Sequence, residues 1–249
     1  QEFISDGENQ KITSYGKLGF DYYKGNILSL RVSSKKIKPQ FLGSMIPKNG
    51  YLFDIIFGYE WNDFMEGIAL NEDYGTYGSV LKPNNTGRFD LNFSWYSYYK
   101  KINLSVENST RIAYLFNDDV DDFFHFFGGG LPGLKGYTFY DVSLTGRGII
   151  SRSIYLRKLV INNSFISYKD FIGFDKLSLG FVFQYGDAFP IGRPKFSTGI
   201  EFRSRGFLFY GYPAALTFEH HYPITDENND IKSINLNEGK SYFKLLFDF

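Results

Sequence analysis

Few side chains of this chain stand where catalysis or metal binding would need them. His220 and His221 are consecutive, and consecutive strand residues project to opposite faces, so they cannot chelate one ion together; each is expected at a solvated or interfacial position. Asp118, Asp119, Asp121 and Asp122, and the run from Asp226 to Asp230, offer carboxylates without the ligand spacing of a calcium loop, and read as charged outer loops. Gly128, Gly129 and Gly130 lack the strand-to-helix context and the Gly-Lys-Ser/Thr ending of a phosphate loop. There is no cysteine for a disulfide or a thiolate site. The expectation is a protein that is not an enzyme and uses no cofactor and no metal. The pattern that does recur is a row of ionisable residues, Asp54, Glu60, Asp90, Glu107, Arg111, Glu201, Arg203 and Glu219, each opposite a run of aromatic neighbours.

The elements that must position this row are strands. Residues 51–61 are the clearest, with Tyr51, Phe53, Ile55, Phe57, Tyr59 and Trp61 on one face and Asp54, Gly58 and Glu60 on the other. A span of about eleven residues crosses a bilayer at a tilt and exceeds the usual soluble strand. Upstream, residues 12–23 and 27–33 alternate about a tight turn predicted at Lys24, Gly25 and Asn26. Downstream the pattern returns at 88–99, 103–116, 149–160, 177–185, 196–204, 212–222 and 241–249, about ten strands in all. In 149–160 the apolar Ile150, Ile154 and Leu156 share a face with Arg152 and Lys158. Residues 64–86 are expected to be a long connection. Residues 162–176 are expected to be another, with an amphipathic turn, because Phe165, Tyr168, Phe171 and Phe174 recur near helical spacing.

The longest connection is 118–148, and its glycine-rich aromatic sequence is too apolar for an ordinary solvated loop. Structureless connections beyond about 12–15 residues are usually functional or disordered, and the aromatics argue against disorder. The segment is expected to fold into the lumen of a barrel.

Composition bounds the partners. The 249 residues carry 27 basic and 27 acidic side chains, so no charge excess points to nucleic acid. Aromatic residues make up 20% of the chain while the mean hydropathy is −0.26, so much aromatic surface coexists with much polar surface. Alternation alone fits a soluble sheet as well as a membrane one. Two features favour lipid: the apolar face is too bulky in Phe, Tyr, Trp and Leu to fill a closed interior, and the opposite face carries charge suited to a wet lumen. The long connections also collect on one side, as the outer loops of an outer-membrane barrel do. Gln1 is not followed by a signal-peptide pattern, so an exported chain would be mature or truncated here.

Three stretches resemble the bacterial surface-antigen barrels of the outer-membrane assembly and two-partner secretion superfamily. Gly133-Leu134-Lys135-Gly136-Tyr137 is similar to that family's lid-loop motif, in which an arginine, a glycine and an aromatic follow one another on a long loop tucked into the barrel. Residues 181–189, FVFQYGDAF, stand where the family has an F-x-D-x-G strand. Residues 195–224 and the terminal YFKLLFDF resemble the last strands and the C-terminal assembly signal, here Phe243, Leu245, Phe247 and Phe249. The resemblance implies that position 135 pairs with the barrel wall. Lys135 replaces the family's arginine and Gln184 its acidic partner, Gly186 is retained, and Asp187 is the candidate substitute carboxylate.

What the resemblance implies is an all-β, transmembrane antiparallel barrel in the bacterial outer membrane, surrounded by lipid and lipopolysaccharide. This chain would be the C-terminal part of a sixteen-strand barrel or a smaller relative with an even strand count. The implied role is outer-membrane protein assembly or polypeptide translocation, with periplasmic or outer-membrane protein partners. The alternatives are a structural anchoring barrel with a closed lumen and a passive porin-like channel.

Overall fold

The computed structural model describes residues 3–6, 9–12, 22–37, 48–71, 76–117, 119–169, 172–190, 192–208, 212–226, 230–232 and 236–247. The protein is all-β, and the strands among the described residues form one large antiparallel sheet of ten and two small two-stranded sheets. Two compact units divide the chain, one of residues 1–27 and 60–85, the other of residues 28–59 and 86–249.

In the smaller unit β1 (Phe3–Asp6) pairs with β2 (Asn9–Ile12). The far part of β4 (Gly50–Asn71) pairs with β5 (Thr76–Pro83), from Asp63 opposite Pro83 to Asn71 opposite Thr76. The connection expected over 64–86 is therefore a hairpin. Its Gly, Asn and Asp content reads as loop, but ladder pairing and the alternation of Ile68 and Leu70 override composition. The turn expected at Lys24-Gly25-Asn26 lies instead inside β3 (Tyr23–Ile37); the Gly-Asn order lacks the Asn-Gly signature of a tight hairpin turn. Residues 13–21, where most of the first expected strand falls, lie outside the described residues.

The larger unit holds β6 (Thr86–Tyr99), β7 (Leu104–Leu115), β8 (Phe126–Phe127), β9 (Thr145–Gly146), β10 (Gly148–Tyr168), β11 (Ile172–Phe189), β12 (Lys195–Leu208), β13 (Tyr212–Pro223) and β14 (Lys240–Phe247). The order across the sheet is β14-β13-β12-β11-β10-β7-β6-β4-β3, and among the described residues no pairing joins β14 to β3, so the sheet is open. From β10 to β14 each strand pairs with the next in sequence, and residues 116–147 are inserted between the paired strands β7 and β10. The connection expected over 162–176 is largely strand, with Lys169 at positive φ in the turn. Register shifts between Leu159 and Ile161, Asn162 and Ile166, and Phe174 and Lys176 break the two-residue period there, which is why the aromatics imitate helical spacing. Phe171 of that set lies outside the described residues.

The two faces of the sheet are inverted relative to a soluble sheet. Along β11, Leu179, Phe181 and Phe183 are 50%, 41% and 46% exposed, while Ser178, Val182 and Gln184 on the opposite face are buried. Phe93 and Trp95, Ile200 and Phe202, Phe218, Phe243 and Leu245 continue the exposed apolar face. On the other face Asp90, Arg157, Glu201, Glu219 and His221 are buried. Arg152 stands on the apolar side, its Nε donating to Asn108 Oδ1 at 3.0 Å. Apolar packing concentrates where the 118–148 segment meets the inner face, in one cluster of Ala113, Leu115, Val120, Phe126, Ile149 and Ala188 and another of Leu134, Tyr137 and Leu144.

Candidate functional site

The described part of the inserted segment, residues 119–147, has local structure of its own and packs on the polar face of the sheet; it is termed the lid, and the sheet its wall. Asp121 caps a short 3₁₀ turn by accepting from Phe123 N at 2.9 Å. β8 then pairs with β9, and Gly128 N donates to Leu144 O at 2.7 Å. The chain reverses at Gly130, whose φ of +70° disfavours a side chain, and Leu134 N returns to Gly128 O at 2.8 Å. Arg88 and Arg111 hold their guanidinium groups 4.9 and 6.0 Å from the centre of the Phe126 ring, a cation–π contact that fixes the lid's first limb against β6 and β7. Arg111 is itself held by Asp90 at 2.8 Å.

The Gly133–Tyr137 stretch docks on β11 to β14. Gln184 clamps the lid backbone, its Oε1 accepting from Lys135 N at 2.9 Å and its Nε2 donating to Gly133 O at 3.2 Å. Ser197 and Ser153 hold that amide from either side, at 3.1 and 2.9 Å. Gly186 receives Leu134: a Cβ at residue 186 would meet Leu134 Cδ2 at 3.1 Å. Gly136 passes so close to the wall that a Cβ would sit 2.8 Å from that of Ser197. Tyr137 reaches the far rim, where its hydroxyl lies 2.6 Å from Thr225 Oγ1 and 2.8 Å from Phe196 O. Burial pushes this phenol above its ordinary range, so it remains a neutral donor. Tyr242 of β14 donates to Lys135 O at 2.7 Å.

The charge of Lys135 goes to a different strand from its backbone. Its ammonium pairs with Glu219 of β13 and donates to Tyr155 OH at 3.0 Å. Glu219 also accepts from His221 Nε2 at 2.9 Å and Lys244 Nζ at 3.2 Å. Beside this group Arg157 forks onto Glu201, Nε to Oε1 at 2.7 Å and Nη2 to Oε2 at 3.1 Å, and pairs with Glu107 through Nη1. Its guanidinium carbon lies 4.3 Å from the centre of the Tyr155 ring, so the Lys135 and Arg157 groups share one aromatic partner. Chemically the arrangement is a latch: charge-assisted bonds between a lid and a wall.

Lys135 and Gln184 are thus neighbours, but the contact is from side-chain amide to lid backbone, not between the two side chains. Asp187 is not the substitute carboxylate. Three positions beyond Gln184 it falls on the opposite face, where its Oδ1 accepts from Ala188 N at 2.8 Å. His220 and His221 do face opposite ways: His220 bonds Ser241 on the apolar side at 2.7 Å, whereas His221, expected at a solvated or interfacial position, is fully buried beside Glu219. Phe243 and Leu245 lie exposed on the apolar face; Phe247 is in β14, its side chain not described, and Phe249 lies outside the described residues. Asp118 and residues 227–229 of the acidic runs are also outside them.

Sequence reasoning missed Tyr155, Arg157, Tyr242 and Lys244. The available signal was parity: in β10, Ser151, Ser153, Tyr155 and Arg157 form the polar face, and Arg152 and Lys158 drew attention to the other. No protein-family model matches the chain, and no curated protein matches it.

Proposed function

We propose that this chain is the wall and lid of an outer-membrane β-barrel of the surface-antigen type, acting in outer-membrane protein assembly or polypeptide translocation. The observation that carries it is the inversion of the sheet, with bulky aromatics exposed on one face while charged residues are buried on the other. In water such a face would be a standing aggregation surface; in lipid it is the stable arrangement, and the buried charges then line the lumen. Among the described residues the outer edge of β14 is unpaired, which supports the mechanism. Unpaired backbone groups in lipid are costly, so that edge must pair with another strand of the barrel at a seam or with an incoming strand that it templates.

A second reading is a structural barrel that anchors a periplasmic or surface assembly with its lumen shut. The ion pair from Lys135 to Glu219, backed by the Gln184 clamp, favours it, because a lid held this firmly suits a permanent plug. Planar-bilayer conductance of the refolded full chain, compared with a deletion of residues 128–140, tests the common ground. A nearly silent parent and large steps from the deletion support a luminal lid. If neither inserts and both behave as soluble monomers, the membrane reading falls. Site-specific cross-linking then separates the two roles: substrate captured at β14 supports assembly or translocation, and its absence there supports the anchor.

A further inference from the structure

We propose that the outer side of the lid forms a binding site for a phosphate monoester carried on a sugar. A cavity of about 890 Å³ opens between residues 136–143 of the lid and the rims of β12, β13 and β14. That is within the roughly 300–1,000 Å³ of small-molecule sites. Its charged lining is Arg193, Lys195, Lys232 and Lys240 against Asp141, Asp226 and Glu238. The carboxylates are already engaged: Asp141 accepts from Ser143 N and Oγ, Asp226 from Asp230 N at 2.9 Å, and Glu238 pairs with Lys232.

Lys195 carries the argument. It is 2% exposed, and its ammonium donates to the backbone carbonyl of Asp226; among the described residues no carboxylate pairs with it. A buried cation held only by a carbonyl is costly unless an anion completes it. Arg193, exposed on the same wall, supplies a planar fork suited to phosphate oxygens, and Lys240 adds a third cation. Across from them Tyr140 is 75% exposed, an accessible aromatic face for the apolar side of a sugar ring. Among the described residues Arg193, Lys195 and Lys240 form no ion pair, and the lining holds four cations against three carboxylates, an excess of positive charge that a bound anion completes. The site depends on this cavity and not on the membrane reading, which its failure would leave intact.

Isothermal titration of the full chain refolded in detergent micelles tests it, with glucose 6-phosphate and glucose as soluble probes and a phosphorylated glucosamine glycolipid, intact or dephosphorylated, as the lipid-borne probe. Saturable binding of either phosphorylated probe and none of its unphosphorylated partner is expected; the soluble probe binding indicates a free sugar phosphate, the glycolipid alone a lipid-linked one. Lys195→Gln and Arg193→Ala should each weaken binding by about tenfold, the loss of one charge-assisted contact. Arg193 is exposed, so its variant keeps the test sound if Lys195→Gln unfolds. Absence of binding by both phosphorylated probes, or binding unchanged in Arg193→Ala, overturns the proposal.

Discussion

Arg31 with Asp54 and Arg157 with Glu201 are the same interaction drawn twice on one sheet. In each, Nε meets one carboxylate oxygen at 2.7 Å and Nη2 the other at 3.1 Å. What differs is the surroundings: the side chains are 66% and 13% exposed in the first pair, 3% and 1% in the second. Geometry alone therefore does not set what an ion pair is worth. Around Arg31 water screens the charges and competes for them. Around Arg157 the neighbours are Glu107, Arg203 and the ring of Tyr155, which Lys135 of the lid also holds, and removal of one charge strands the others.

The comparison breaks if Arg157→Met is harmless. Two carboxylates, Glu107 and Glu201, lose their shared partner, and a loss of about 3–5 kcal/mol is expected in urea unfolding of the refolded protein in micelles, or failure to refold at all. Lys135→Met should cost less, about 3 kcal/mol at the low end of the same range, because Glu219 keeps His221 and Lys244. Its sharper signature is lid release, read as single-channel openings absent from the parent. Gln184→Glu replaces the amide donor that serves Gly133 O and Ser153 with a second acceptor. A loss of about 1–3 kcal/mol in the same unfolding measurement is expected, since the part-buried Gly133 carbonyl is left unpaired while Lys135 N keeps its acceptor. Arg31→Met is the smallest effect: no resolvable shift in the unfolding midpoint, and a midpoint shift equal to that of Arg157→Met would show that burial is not what separates the pairs.

Much of the strand architecture of β6 to β14 is legible in the alternation, and so is the choice of faces. Phe181, Phe183 and Gln184 lie as their parity requires because one strand position fixes the next. Legibility fails where the period breaks. The shifts after Leu159 and Phe174 turn β10 and β11 into what reads as a loop, and the extension of β4 beyond Trp61 is hidden by polar residues that a paired hairpin tolerates. At the lid, Gly136 and Gly186 mark close approach, and the lid's glycines are visible as such. The partner of Lys135 is not: Glu219 is 84 residues away, and no local pattern distinguishes it from Glu107 or Glu201.

By itself the sequence determined that the chain is built of strands with one aromatic and one charged face, and that a long glycine-rich segment interrupts them. These follow from local physics, the two-residue period of a strand and the steric freedom of glycine. Only the tertiary structure decided that Lys135 binds Glu219 while Gln184 holds its backbone, that Asp187 faces away, and that His221 and Arg157 are buried. Those outcomes depend on register between strands far apart in the chain and on where the lid comes to rest, and a side chain carries no local record of what is placed over it.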